Sequence, residues 1–209
     1  MISKAAIPVF RECVELYEQN YGRDHSYVAV ALTGLGQTLG ASGDPQAAIA
    51  ALRQAKEIYE KTLGPQHVYT AVSITALADV QLAAGDAKGS EHDYRAALAT
   101  FAQIGDGRHI YAEAAHLGLG KALSAQHRFA EAEPPLRAAL ARLSSEFGAN
   151  DRRAIESAAE LVHCLLGQGK REEAGRLLEN AEHALTNTQG DISRQRASLL
   201  RARMEFDQS

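Results

Sequence analysis

Apolar residues recur along this chain at helical spacing, and no segment alternates apolar and polar positions as a half-buried strand would. In one class of segment a leucine returns at Leu35, Leu77, Leu119 and Leu161, followed by Gly36, Ala78, Gly120 and Val162. In a second class the apolar positions are spaced 4, 3 and 4. They are Ala48, Leu52, Ala55, Tyr59; Ser90, Tyr94, Ala97, Phe101; Ala132, Leu136, Ala139, Leu143; and Ala174, Leu178, Ala181, Leu185. Each set is one stripe of a helix. Ala6, Phe10, Cys13 and Tyr17 extend the second class backwards by one more step of the same length.

Loop signals punctuate the stripes with the same period. His25, His67 and His109 recur at that interval, as do Tyr27, Tyr69 and Tyr111. Gly22, Gly64, Gly105, Gly148 and Gly190 mark the same boundary in successive units. A second signal lies midway, at Gly43-Asp44, Gly85-Asp86, His127-Arg128 and Gly169-Lys170. The pattern predicts about ten helices in one repeat array over 1–209, a type of organisation that a fixed period announces. Its parts are a half repeat at 1–22, full repeats at 23–64, 65–105, 106–148 and 149–190, and a terminal helix at 191–209. The opening half repeat suggests an excised domain or the end of a longer array. One helix pair cannot bury both its faces, so the units must stack.

Composition reinforces this reading. Ala occurs 39 times and Leu 23 times, against 5 Pro and no Trp. Helix formers therefore dominate over β-branched and aromatic residues, and the class is all-α. The net charge of −4 gives no basic footprint for nucleic acid. The one basic cluster, Arg194, Arg196, Arg201 and Arg203, reads as a solvated helix face. No apolar run reaches membrane-spanning length, and the N-terminus has no export signal. Cys13 and Cys164 lie in apolar helical contexts far apart in sequence, which favours free thiols and a reducing, cytoplasmic setting.

The matching series Leu35-Gly36…Gly43…Ala48…Ala55, Leu77-Ala78…Gly85…Ala97, Leu119-Gly120…Phe129…Ala132…Ala139 and Leu161…Gly169…Ala174…Ala181 resembles the tetratricopeptide repeat. The 42-residue period, the G-x-x-H loop and AEAEP at 130–134 are similar to its kinesin-light-chain-like subclass. The resemblance implies a right-handed α-solenoid of antiparallel helix pairs whose first-type helices line a concave groove. It also implies a noncatalytic scaffold that binds a protein or peptide segment, with Thr33, Gln37, Thr75, Asp79, Leu117, Lys121, Glu160 and His163 facing the partner. Bacterial proteins with such repeats couple them to signalling or regulatory domains. Alternatives are a self-association module, a homodimer through the terminal helices, or a peptide or small-molecule sensor.

The chain departs from the subclass at two places. Ser26, Val68 and Ile110 follow the loop histidines, at the position where the subclass commonly has Pro. Thr33-Gly34, Thr75-Ala76, Leu117-Gly118 and Ala159-Glu160 occupy the sites of its paired asparagines, so no backbone-gripping asparagine ladder exists. No metal or other cofactor is expected. Stacked helices stand roughly 8–10 Å apart, so the periodic histidines cannot share one Zn²⁺ and read as structural loop residues. The pairs Glu113/His116 and Glu160/His163 have the spacing of di-iron ligands but are offset in the repeat frame. The glycines of GLGQTLG (34–40) fall within a helix, where they serve packing rather than phosphate binding.

Overall fold

The structure, a computed structural model, describes residues 5–104, 110–188 and 190–209. Gly105 and His109, singled out above, lie outside the described residues. Among the described residues there are ten helices and no strand. They are α1 Ala6–Tyr21, α2 Ser26–Ala41, α3 Pro45–Leu63, α4 Val68–Ala83, α5 Ala87–Gln103, α6 Ala112–Ala125, α7 Phe129–Phe147, α8 Arg152–Gly167, α9 Arg171–Thr186 and α10 Ser193–Gln208. The even-numbered helices are the first type of the sequence pattern. Two compact units emerge, Met1–Gly118 and Leu119–Ser209. In the first, α1 to α5 pack in chain order and α2 also packs on α4. In the second, α7 packs on α8, α8 on α9, and α10 on both α8 and α9.

The periodic loop residues turn out to be helix caps. His25 Nδ1 accepts the backbone N–H of Tyr27 at 3.2 Å, and His67 Nδ1 accepts that of Tyr69 at the same distance. Where the fourth unit replaces His with Asp151, the carboxylate accepts from Arg153 N at 2.9 Å and Ala154 N at 3.4 Å. All three satisfy donors that a helix start leaves without partners. In the mid-unit loops Asp44 caps α3 and Asp86 caps α5 in the same way. The residue before each mid-unit cap adopts positive φ: Gly43 and Gly85 at 90°, Gly169 at 73° and His127 at 58°. The third unit thus places an imidazole-bearing residue where a Cβ is strained.

The small residues of the first-type helices receive one recurring large residue of the second type. A Cβ on Gly36 would stand 2.5 Å from Leu52 Cγ, and one on Gly120 would stand 2.4 Å from Leu136 Cδ2. These contacts join α2 to α3 and α6 to α7. Two residues earlier, a Cβ on Gly34 would meet the Phe10 ring at 2.3 Å, and one on Gly118 the Tyr94 ring at 2.2 Å. Those contacts join a first-type helix to the second-type helix that precedes it. Phe10, Leu52, Tyr94 and Leu136 occupy one position of the repeat. Leu52, Tyr94 and Leu136 are fully buried. Pro134 and Pro135 fall inside α7, which continues through them to Phe147.

Two outcomes follow from this packing. Gly118→Ala should destabilise the chain by about 1–3 kcal/mol, because the Tyr94 ring is buried and cannot step aside. Adding Tyr94→Leu should recover most of that loss, since Leu52 and Ala76 form such a pair within one core one repeat earlier. Urea unfolding of the single and double variants measures the coupling. Strictly additive losses would refute the packing scheme. Separately, His127→Gly should raise stability by about 0.5–1 kcal/mol by relieving the positive φ. An unchanged or lower unfolding midpoint would oppose it.

Candidate functional site

The eight residues expected to face a partner divide by what they already touch. In the first unit, Thr33 is half-buried and donates its hydroxyl to Ala29 O at 2.8 Å. Thr75 is buried and donates to Ala71 O at 2.9 Å. Leu117 is buried as well. Thr75 and Leu117 therefore present no side chain to solvent. Gln37 and Asp79, which occupy one repeat position on α2 and α4, are exposed. Asp79 is fixed by Tyr94, whose hydroxyl donates to Asp79 Oδ1 at 2.6 Å. Burial first, and then the adjacent Asp79 carboxylate, hold the Tyr94 phenol far above its usual range, so it remains a donor.

In the second unit the expected residues are engaged by other side chains of the same unit. Lys121 of α6 forms an ion pair with Glu156 of α8 and stands 4.0 Å from Glu160. The buried Glu156 carboxylate also accepts from Arg194 Nη2 of α10 at 2.8 Å. One acid is thus shared by two cations from two other helices, which compensates its removal from water. His163 Nδ1 lies 2.7 Å from Glu205 Oε2, and its ring meets the edge of Phe129 at 5.6 Å. Sequence reasoning missed Tyr94 as the group that holds Asp79, and Arg194 as a member of the row. The repeat register did not point to the second, since Lys121, Glu156 and Arg194 stand one or two helical turns out of the 42-residue frame.

The alternative chemistries gain little support from the geometry. The histidines His25 and His67 spend their Nδ1 atoms on caps. Glu113 is buried, and burial lowers the pKa of half-buried His116. Among the described residues, no group of three or more His, Cys, Asp or Glu is disposed to hold a metal ion. An open cleft of about 460 Å³ lies between the starts of α8 and α10, lined by Arg152, Arg153 and Arg194 with Asp151, Glu156 and Asp191. Its cations are matched by these acids or, for Arg152, by Asp191 O at 3.1 Å. Cys13 and Cys164 are free thiols, and burial raises the Cys164 pKa. Among the described residues no helix is long and apolar enough to cross a membrane.

Comparison with known proteins bears on the fold. Residues 4–61 match the family profile of the tetratricopeptide repeat. A comparison with curated proteins finds no significant match. Among solved structures, BtubC (BKLC) from P. vanneervenii superposes with a TM-score of 0.76 at 17% identity, over 98% of this chain and 85% of that one. A Podosopora anserina protein described as a kinesin light chain with nearly identical TPR-like repeats gives 0.71 at 22% identity, over 88% and 87%. MamA protein gives 0.53 at 15% identity, over 87% and 93%. At these identities the likeness is one of fold. Residues 4–61 therefore carry a tetratricopeptide repeat, and the chain has the all-α helical-repeat fold of kinesin-light-chain-like solenoids. Such repeats are protein-interaction scaffolds.

A second charge network in the Leu119–Ser209 unit yields a pH-dependent outcome. Glu133 of α7 accepts from Lys170 Nζ at 2.6 Å and Gln168 Nε2 at 2.8 Å, and pairs with Arg137, which also reaches Glu173 at 2.5 Å. The Lys170 contact is the largest influence lowering the Glu133 carboxyl from 4.5 to about 2. Because the folded value is depressed, the associated stability is present above the unfolded pKa of 4.5 and is lost as pH falls towards about 2. Glu133→Gln should cost roughly 1 kcal/mol at neutral pH, allowing for solvent screening. It should also flatten the stability profile below pH 4.5. Parallel profiles for variant and wild type across that window would count against the network.

Proposed function

We propose that this chain is a noncatalytic scaffold that binds an extended segment of a partner protein along the first-type helices, with the recognition row in the Met1–Gly118 unit. The observation that carries the reading is the exposure of Gln37 and Asp79 at one repeat position on α2 and α4, two helices that pack directly on each other. A Gln amide can both donate to and accept from a peptide backbone. The Asp79 carboxylate, oriented by Tyr94, sets an exposed negative charge beside it that suits a basic side chain. Thr33, Thr75 and Leu117 shape this row by packing beneath it. Lys121, Glu160 and His163 belong to the corresponding row of the other unit, where a partner would have to exchange an existing ion pair.

The free thiols support a reducing interior as the setting, with the cytoplasm as the proposed location. The role assigned is that of a partner-recognising part of a larger bacterial regulatory assembly, bearing no nucleic-acid or membrane function.

A photo-crosslinking amino acid placed at Gln37 tests the proposal against one placed at Arg53, an exposed residue of the second-type helix α3. Position 37 should yield discrete partner adducts. Asp79→Lys should reduce their yield about tenfold, the scale of one charge-assisted hydrogen bond. Equal labelling from positions 37 and 53, or adducts indifferent to Asp79→Lys, would remove the row from the account.

A further inference from the structure

The cleft between the starts of α8 and α10 holds one polar side chain that the fold leaves unanswered. Gln195, on the first turn of α10, lines the cleft and is only 7% exposed. Among the described residues its amide makes no hydrogen bond. An amide carries two donors and an acceptor that water satisfies in the unfolded chain, so burying all of them idle is costly.

The helix start beside it is open as well. His25, His67 and Asp151 cap α2, α4 and α8 with their side chains, whereas no side chain caps α10 at Ile192. Asp191 accepts the N–H of Ser193 at 3.0 Å, but among the described residues the N–H groups of Arg194 and Gln195 find no acceptor. The charged groups keep capacity in reserve. Arg152 donates one N–H to Asp191 O at 3.1 Å, and among the described residues it forms no ion pair. Arg194 gives Nη2 to Glu156 at 2.8 Å, and its side chain is 73% exposed. Asp191 spends Oδ1 on Ser193, which leaves Oδ2. The Ser193 hydroxyl first, and then its N–H, hold that carboxyl below its usual range. Asp151 and Arg153 close on each other in a two-point pair.

We propose that this cleft binds a free α-amino acid by its main-chain end. Charge balance selects that class. Three guanidinium groups and three carboxylates line the cleft, so a lone anion or a lone cation meets as many like charges as opposite ones. A neutral molecule with both signs on one carbon does not. Its carboxylate lies against Arg152, Arg194 and the α10 start, and accepts from Gln195 Nε2. Its ammonium donates to Asp191 Oδ2 and to the Gln195 carbonyl. Both halves of the buried amide are then used. The volume of about 460 Å³ falls in the roughly 300–1,000 Å³ range of small-molecule sites. The site belongs to the Leu119–Ser209 unit and does not depend on the recognition row proposed for the other.

The test follows ¹H–¹⁵N spectra of the full chain as L-alanine is added, with sodium acetate and ethylammonium chloride as single-sign controls. L-Alanine should shift the Gln195 side-chain amide and the backbone amides of Arg194 and Gln195 saturably, with a dissociation constant on the order of 1–10 mM. Each control should bind at least about fivefold more weakly. Gln195→Leu, which keeps the bulk without the amide, should weaken L-alanine at least about fivefold, read at Arg194. Asp191→Asn keeps an acceptor for Ser193 and should erase the preference for L-alanine over acetate. Should Gln195→Leu lose helicity, that comparison decides. No saturable shift by about 100 mM L-alanine, shifts centred away from the α8 and α10 starts, or acetate matching L-alanine in the wild type would overturn the site. So would unchanged affinity in folded Gln195→Leu or an unaltered preference in Asp191→Asn.

Discussion

The fold depends on the approach of one large buried side chain per second-type helix to nearly bare backbone on a first-type helix. Leu52 over Gly36 and Leu136 over Gly120 set the distance within a pair, while Phe10 against Gly34 and Tyr94 against Gly118 set it between successive pairs. The same repeat position therefore specifies both interfaces. Leu52, Tyr94 and Leu136, fully buried, each contribute roughly 1.5–3 kcal/mol. The associated constraint is steric, since protein interiors leave no slack for an added methyl group at such sites. The alanine-rich composition follows from this constraint and from helix propensity together, as Ala48, Ala55, Ala97, Ala132, Ala139 and Ala174 are all fully buried.

Close packing decides in turn where charge can be placed. Adjacent first-type helices bring long side chains within reach across the interface, so Lys121, Glu156 and Arg194 neutralise one another in the Leu119–Ser209 unit. The corresponding row of the other unit carries an amide at Gln37 and one carboxylate at Asp79, which the Tyr94 hydroxyl orients. One architecture thus carries different polar chemistry in the two units. A paired ion must be separated before a ligand can use it, so the acid that Lys121 and Arg194 share is costly to recruit.

The helices and their packing positions were legible in the sequence because four or five copies of one pattern reinforce each other. Leu35 followed by Gly36 says little alone, whereas the same pair at Leu119-Gly120 identifies a shared interface. The candidate site was less legible. Thr75 and Leu117 fall on the expected row but are buried, since the helix bearing each one packs too closely against its neighbours for that position to open. The engagement of Asp79 by Tyr94 depended on a tyrosine replacing leucine in one repeat, and its hydroxyl reaching across the pair. His25 and His67 do lie in loops, but their service as caps required knowing that Nδ1 faces the amide of the residue two positions on.

That last assignment links helix capping to the exposed tyrosines. Each helix start leaves backbone donors to be satisfied, and His25 and His67 do so for α2 and α4 by accepting a backbone N–H two residues on, from Tyr27 and Tyr69. The cap therefore fixes the very residue whose ring is left half in water. In both of these units the cap and the half-exposed ring recur together, two residues apart. The fourth unit shows the alternative. Asp151 supplies the cap, Arg153 replaces the tyrosine, and its guanidinium lies 4.4 Å over the Phe147 ring while pairing with Asp151. There the chain's own cation lies over an aromatic ring that stays 47% exposed. The exposed aromatic character thus persists into the Asp-capped unit, with a guanidinium taking the place of the tyrosine ring.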